Sequence, residues 1–217
     1  LYRMRCLCRH LSCRGNPQRR CTLMKKSYDC LIVGIGGQGT ILASNVLGDA
    51  CVLEGRHVRG AETHGMSQRG GSVETHIRID GKFGSLIAPG TADLLIAFDV
   101  LEALRYRHFL KPAGTMIVNR EMVVPTSVYS NKLPVPQMAE VEAELKAGGH
   151  KVILIDATEI ATQAGSPLAA NIVLMGAASH TLPLAVKSLS EAVRRNVPPK
   201  TVEINEKAFN LGREVAL

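Results

Sequence analysis

Residues 62–79 read ETHGMSQRGGSVETHIRI and place His64, Ser67, Gln68 and Arg69 just ahead of the adjacent glycines Gly70 and Gly71. An imidazole titrates near neutrality and can serve as acid, base or donor. A guanidinium is a planar fork matched to carboxylate or phosphate. Glycines let a backbone approach a ligand or partner closely. His64 and Arg69 are therefore the candidates for chemistry at a reacting centre. Ser67, Gln68, Gly70 and Gly71 are candidates for contacts to a bound group. The plainer alternative is a solvated His64 and an Arg69 paired with a local acid.

A second pattern lies upstream. Gly34-Ile35-Gly36-Gly37-Gln38-Gly39 is a G-x-G-x-x-G that follows a strand-like run and opens a helix-like one. In that setting the glycines permit a tight turn, and N–H groups at the helix start favour an anion. A dinucleotide site would also need an acid at the end of the second strand to hold a ribose. Glu62 is the best placed, although it opens the polar loop; Glu54 is about the right distance downstream but ends the helix-like run. Three readings stay open here: glycines that only let the helix pack closely, a phosphate cradle, or an NAD site.

These loops need a scaffold, and the hydrophobic pattern supplies one. YDCLIVGI, ADLLIAFD, TMIVN and HKVILIDA are short apolar runs of strand type, with GRHVRGAET a weaker one. SVETHIRID alternates as a half-buried strand does, and Asp80-Gly81 predicts a hairpin turn to a partner strand FGSLIA. Lys111-Pro112-Ala113-Gly114 predicts a break before TMIVN. Helical spacing marks QGTILASNVLGDACVLEG, VLEALRYRHFL, PQMAEVEAELKAGG, LAANIVLMGAASHTL, SLSEAVRRNV and TVEINEKAFNLGREV. Strands alternating with amphipathic helices predict an α/β, Rossmann-like three-layer sandwich, with a mostly parallel sheet and one antiparallel hairpin. Asp156 is placed to cap the helix after HKVILIDA, and His180 reads as a satisfied edge or core histidine.

Composition narrows the function. The net charge of +7 is misleading, because residues 1–23 hold six arginines and no acid, leaving 20 basic against 19 acidic residues in the body. A nucleic-acid surface should lie on the folded domain. Trp is absent and aromatics are scarce, so stacking platforms for bases are few. Cys6, Cys8, Cys13 and Cys21 lie in the tail without zinc or ferredoxin-cluster spacing. The tail, 1–23, reads as disordered or non-native, with the natural start at Met24, and 24–217 as a single domain. Cys30 and Cys51 read as small core residues, and the lack of a disulfide framework in the body suggests a cytoplasmic home.

YDCLIVGIGGQGT, ETHGMSQRGGSVETHIRI and ANIVLMGA together resemble the gamma-type subunit or domain of 2-oxoacid:ferredoxin oxidoreductases, most of all the small beta subunit of the indolepyruvate type. The likeness covers about residues 28–215. The R-G-G-[ST]-V pattern of that family is met by Arg69, Gly70, Gly71, Ser72 and Val73, its glycine loop by Gly34, Gly36, Gly37, Gln38 and Gly39, and its late asparagine by Asn171.

The resemblance implies oxidative decarboxylation of a 2-oxoacid, here an arylpyruvate, to an acyl-CoA with electrons passed to ferredoxin. It implies that thiamine diphosphate, magnesium and iron–sulfur clusters sit on a large partner subunit and that CoA is a co-substrate. This chain carries no G-D-G followed by a distal Asn for a magnesium diphosphate, and its body has only two cysteines. It should do no redox chemistry alone. Its expected work is to dock on the large subunit, complete a shared cleft and help to position CoA or the cofactor. The alternatives are an NAD(P)-dependent dehydrogenase and a noncatalytic interaction module.

Overall fold

The computed structural model describes residues 27–64, 71–81 and 84–216. The tail 1–23 and residues 65–70, among them Ser67, Gln68, Arg69 and Gly70, lie outside the described residues.

β1 (Tyr28–Ile35) is buried along nearly its whole length, because both faces of the sheet are covered around it. It leads through α1 (Thr40–Leu53) to β2 (Val58–His64) and β3 (Ser72–Ile79), then to β4 (Ala92–Ala97), α2 (Val100–Tyr106) and β5 (Leu110–Asn119). The short α3 (Thr126–Ser130), α4 (Met138–Ala147), β6 (Lys151–Ile155) and α5 (Ala157–Ala164) follow, and α6 (Ala170–Ala178), α7 (Val186–Asn196) and α8 (Val202–Val215) close the chain. The sheet order is β2-β3-β1-β4-β5-β6. β1, β4, β5 and β6 are parallel neighbours, and β3 pairs antiparallel with both β1 and β2. Thus β3 alone runs against the rest, and the three-layer sandwich read from the pattern is present.

The core is divided by the sheet. On one side Ile32, Ile96 and Ile117 pack with α1, α5, α6, α7 and α8; on the other Leu31, Leu95 and Met116 pack with α2 and α4. α6 is buried on all sides. It crosses α8 so closely that a Cβ on Gly176 would fall inside the Phe209 carbonyl oxygen, and one on Gly212 inside that of Val173. Cys30 and Cys51 are buried, and burial drives both thiols up, Cys51 to about 12.

Three expectations need correction. Asp80 does turn the chain (φ 53), but Leu86 and its neighbours form no strand with β3. Side chains hold that segment instead: Arg78 donates to the carbonyls of Gly84 and Leu86, and His76 Nδ1 accepts from Ile87 N–H. The antiparallel hairpin is β2–β3. Lys111–Gly114 does not break the chain; it lies inside β5, absorbed by a left-handed Ala113 (φ 59) and a register shift between Ala92 and Leu94. Asp156 occupies the cap position of α5 without a capping bond and pairs with Arg120, while Asn119 Oδ1 accepts from Ala157 N–H. His180 is a satisfied edge residue, bonded to the Arg213 carbonyl.

Candidate functional site

In an open α/β sheet, ligands gather beyond the C-terminal strand ends, where the chain leaves in opposite directions from two neighbouring strands. That point here lies between β1 and β4. The chain goes from β1 toward β3 and β2 on one side, and β4 opens the other. Because β2 runs with β1 and β3 runs against it, the loop joining β2 to β3 emerges at the same end. Register confirms this: Ile35 lies opposite Ser72, and His64 opposite Val73. The two glycine motifs therefore meet, and Gly36 N–H donates to Gly71 O at 2.8 Å.

Close packing shapes the glycine loop. Gln38 folds back: its Oε1 accepts from Ile35 N–H at 2.8 Å and its Nε2 reaches Phe98 O at 3.4 Å. A Cβ on Gly34 would lie 2.9–3.0 Å from Gln38 Oε1 and Phe98 Cβ. Gly39 caps α1 in the left-handed region (φ 87), and a Cβ there would overlap the side-chain amide of Asn171. Asn171 is buried, gives a long 3.5 Å contact to Gly39 O, and accepts from Ile172 N–H. Gly34, Gly36, Gly37, Gln38, Gly39, Gly71 and Asn171 are thus brought to one place. Gln38 and Asn171 spend their amides on the backbone, and the N–H groups of Gly36 and Gln38 are bonded to Gly71 O and Ile35 O, so the loop offers a ligand its remaining main-chain N–H groups and the start of α1.

Beneath the loops lies a buried acidic layer. Asp99, fully buried, caps α2 by accepting from Leu101 N–H (2.7 Å) and Glu102 N–H (3.2 Å), and it also accepts from Val123 N–H (2.6 Å). Burial pushes its carboxyl up, against the pull of those three donors. Glu102 accepts a short bond from Ser72 Oγ and pairs with Arg105 at 3.1 Å; burial raises it too. Ser72 also lies 3.2 Å from the Tyr106 hydroxyl. The residue that leaves the R-G-G motif is thereby fastened to α2. Further along β3, His76 is buried against Phe109, and burial lowers its pKa while Glu74 opposes that shift.

Sequence reasoning missed this layer. Asp99 stands directly before the helical run VLEALRY, an N-cap signature, yet it reads just as well as the end of the strand ADLLIAFD. Ser72 belongs to the recognised motif, but nothing local shows that it reaches a helix 30 residues away.

The topology bears on the dinucleotide reading. β3 lies between β1 and β2, so an acid on β2 stands about 9–10 Å from β1, two strand spacings rather than one. Glu62 accepts from Ser44 Oγ, and Glu54 accepts from Ala185 N–H. Neither is at the glycine loop. Two prominent concavities, of about 380 and 570 Å³, are lined elsewhere, around Arg107 and His150 and between α1 and β2.

A Rossmann-like sheet with two stitched glycine loops at its switch point matches the family model for pyruvate ferredoxin/flavodoxin oxidoreductase over residues 29–215, and the chain belongs to that family. Among its relatives, subunit IorB of the indolepyruvate oxidoreductase of Pyrococcus horikoshii is 39% identical over 196 residues, covering 88% of this chain and 96% of that protein. IorB of Archaeoglobus fulgidus is also 39% identical, over 189 residues, with 86% and 94% covered. Subunit KorC of the 2-oxoglutarate synthase of Methanothermobacter thermautotrophicus is 32% identical, with 86% and 93% covered. The crystal structure of the gamma subunit of a keto/oxoacid ferredoxin oxidoreductase from Geobacter sulfurreducens superposes with a TM-score of 0.65 at 26% identity, covering 87% of this chain and 98% of that one.

Proposed function

We propose that this chain is the small subunit of an indolepyruvate or arylpyruvate:ferredoxin oxidoreductase, active only with a large subunit that holds thiamine diphosphate, magnesium and the iron–sulfur clusters. The carrying observation is the 39% identity to IorB along nearly all of that protein, against 32% to the 2-oxoglutarate subunit. CoA is the co-substrate and ferredoxin the acceptor. No helix among the described residues is long and apolar enough to cross a membrane; the complex works in the cytoplasm.

The described donor set does not suit the cofactors themselves. Cys30 and Cys51 are core thiols with raised pKa, and the described residues hold no cluster of three His, Cys, Asp or Glu that could bind a metal. When bound to the large subunit, thiamine diphosphate supplies the decarboxylation chemistry and the clusters carry the electrons. The work of this chain is docking and orientation. Ile41, in the first turn of α1, is 53% exposed, and Leu168, three residues before Asn171, is 87% exposed. Large apolar side chains beside the glycine loop suit burial against a partner rather than water. Docked there, the loop's free N–H groups take anionic or polar groups of CoA or the cofactor and exclude water, and Arg69 and His64 are the side chains the sequence offers for further polar contacts. Orientation of this kind can be worth on the order of 7–11 kcal/mol in favourable cases.

Anaerobic reconstitution tests the reading. The large subunit, thiamine diphosphate, CoA and ferredoxin are combined with and without this chain and offered indolepyruvate, pyruvate and 2-oxoglutarate. CoA-dependent reduction should need this chain and favour indolepyruvate, and should fall with Arg69→Ala. A large subunit equally active alone, or a preference for 2-oxoglutarate, would refute it.

A further inference from the structure

The cleft between α1 and the edge strand β2 belongs to no part of the strand-end platform. It encloses about 570 Å³. Its concavity comes from missing side chains: Gly48 on α1 faces Gly60 and Ala61 on β2, and a Cβ built on Gly48 would meet nothing within 4 Å. The apolar walls are Val52, Val58 and Ile77. No residue lining the cleft is basic, whereas two carboxylates line it.

Those carboxylates are held by their neighbours. Glu62 accepts from Ser44 Oγ at 2.9 Å through one oxygen, and Asp49 accepts from Asn196 Nδ2 at 2.6 Å through one oxygen. Each is fixed in direction and keeps a second oxygen. The floor adds an independent sign of a ligand. Thr75 is fully buried there, and its Oγ1 has no hydrogen-bond partner among the described residues. A buried hydroxyl left unpaired is uncommon in native proteins and calls for a partner. Ser44, which holds Glu62, and Asp49 are five residues apart on α1, about 7–8 Å along its axis.

We propose that this cleft is a binding site for a small aliphatic dication, with one ammonium on Glu62, the other on Asp49, an apolar linker against Val58 and Ile77, and a donor on the Thr75 hydroxyl. An α,ω-diamine is the simplest ligand that brings one cation to each carboxylate with an apolar chain between them, and its five-carbon member serves as the probe. An anion would meet two carboxylates and no compensating cation, and a purely apolar ligand would leave the second carboxylate oxygens and the Thr75 hydroxyl unmatched. The inference does not depend on the oxidoreductase assignment.

Titration calorimetry on the full chain with cadaverine tests it, with n-pentylamine as the single-charge probe. The expected result is saturable one-to-one binding, at least tenfold weaker for n-pentylamine and for both Glu62→Gln and Asp49→Asn. Gly48→Leu fills the cleft from a position with open space, so it should abolish binding without lowering the thermal transition. If that variant does not fold, the two carboxylate variants decide. No saturable heat with cadaverine at about 10 mM, well beyond a millimolar dissociation constant, would overturn the proposal. So would binding unchanged by the carboxylate variants or by a folded Gly48→Leu.

Discussion

The start and the middle of α1 use glycine in opposite ways. At its start, the loop around Gly39 is crowded: the backbone is left-handed and the Asn171 amide occupies the space a Cβ would need. Midway along, Gly48 faces emptiness. The first glycine lets two elements touch, and the second keeps them apart. The crowded end is where β1, β3 and α6 are stitched together, so the geometry offered to a partner there is fixed. The open side is a cleft at the sheet edge, where one side chain could change the shape without disturbing the fold.

Substitutions can break or sharpen that contrast. The largest loss should come from Gly176→Ala or Gly212→Ala. Each drives a methyl into a backbone carbonyl at the α6–α8 crossing, where neither helix can yield, and should cost about 3 kcal/mol or more in urea unfolding. Gly39→Ala should cost about 2 kcal/mol, combining the positive φ with the overlap on Asn171. Placing it in an Asn171→Ala background removes the overlap. A double-mutant cycle should therefore show coupling above about 0.5 kcal/mol, and additivity would mean that the two residues do not meet.

The buried acids give a smaller effect with a definite pH sign. Glu102 has a folded pKa above its ordinary 4.5, so the native state holds its proton more tightly than the unfolded chain. Its contribution to stability is complete below 4.5 and declines as pH rises through the folded value. Glu102→Gln should accordingly gain on the wild type across that window and then hold a constant difference. A difference that shrinks as pH rises would contradict the assignment. The smallest effect should have the opposite sense to the crowded glycines: Gly48→Ala should stabilise by up to about 1 kcal/mol, from helix propensity alone.

Much of this was legible in the sequence, for a physical reason. Strands such as YDCLIVGI are buried on both faces, and their unbroken apolarity shows it. The glycine loops carry their geometry in residue type. Side-chain-mediated structure was not legible. The segment after Asp80 looks like a strand but is held by Arg78 and His76, whose reach leaves no local pattern. Asn171 was marked only through a family motif, and its contact with Gly39, 132 positions away, needed the fold. Glu102 sits on a helix whose sequence resembles any solvated amphipathic one, yet it is buried under Ser72.

The central claim is that the strand-end platform is the face that meets the large subunit. Ile41 and Val52 lie on the same helix, 53% and 67% exposed, roughly 16 Å apart along its axis. Ile41→Glu and Val52→Lys each place a charge that suits its end of the helix dipole, so neither should weaken α1. The decisive measurement is the affinity of each variant for the large subunit. The account predicts that Ile41→Glu weakens association at least tenfold, with parallel loss of arylpyruvate-dependent ferredoxin reduction, while Val52→Lys binds as the wild type does. Normal association of Ile41→Glu with loss in Val52→Lys would move the interface to the sheet edge and contradict it.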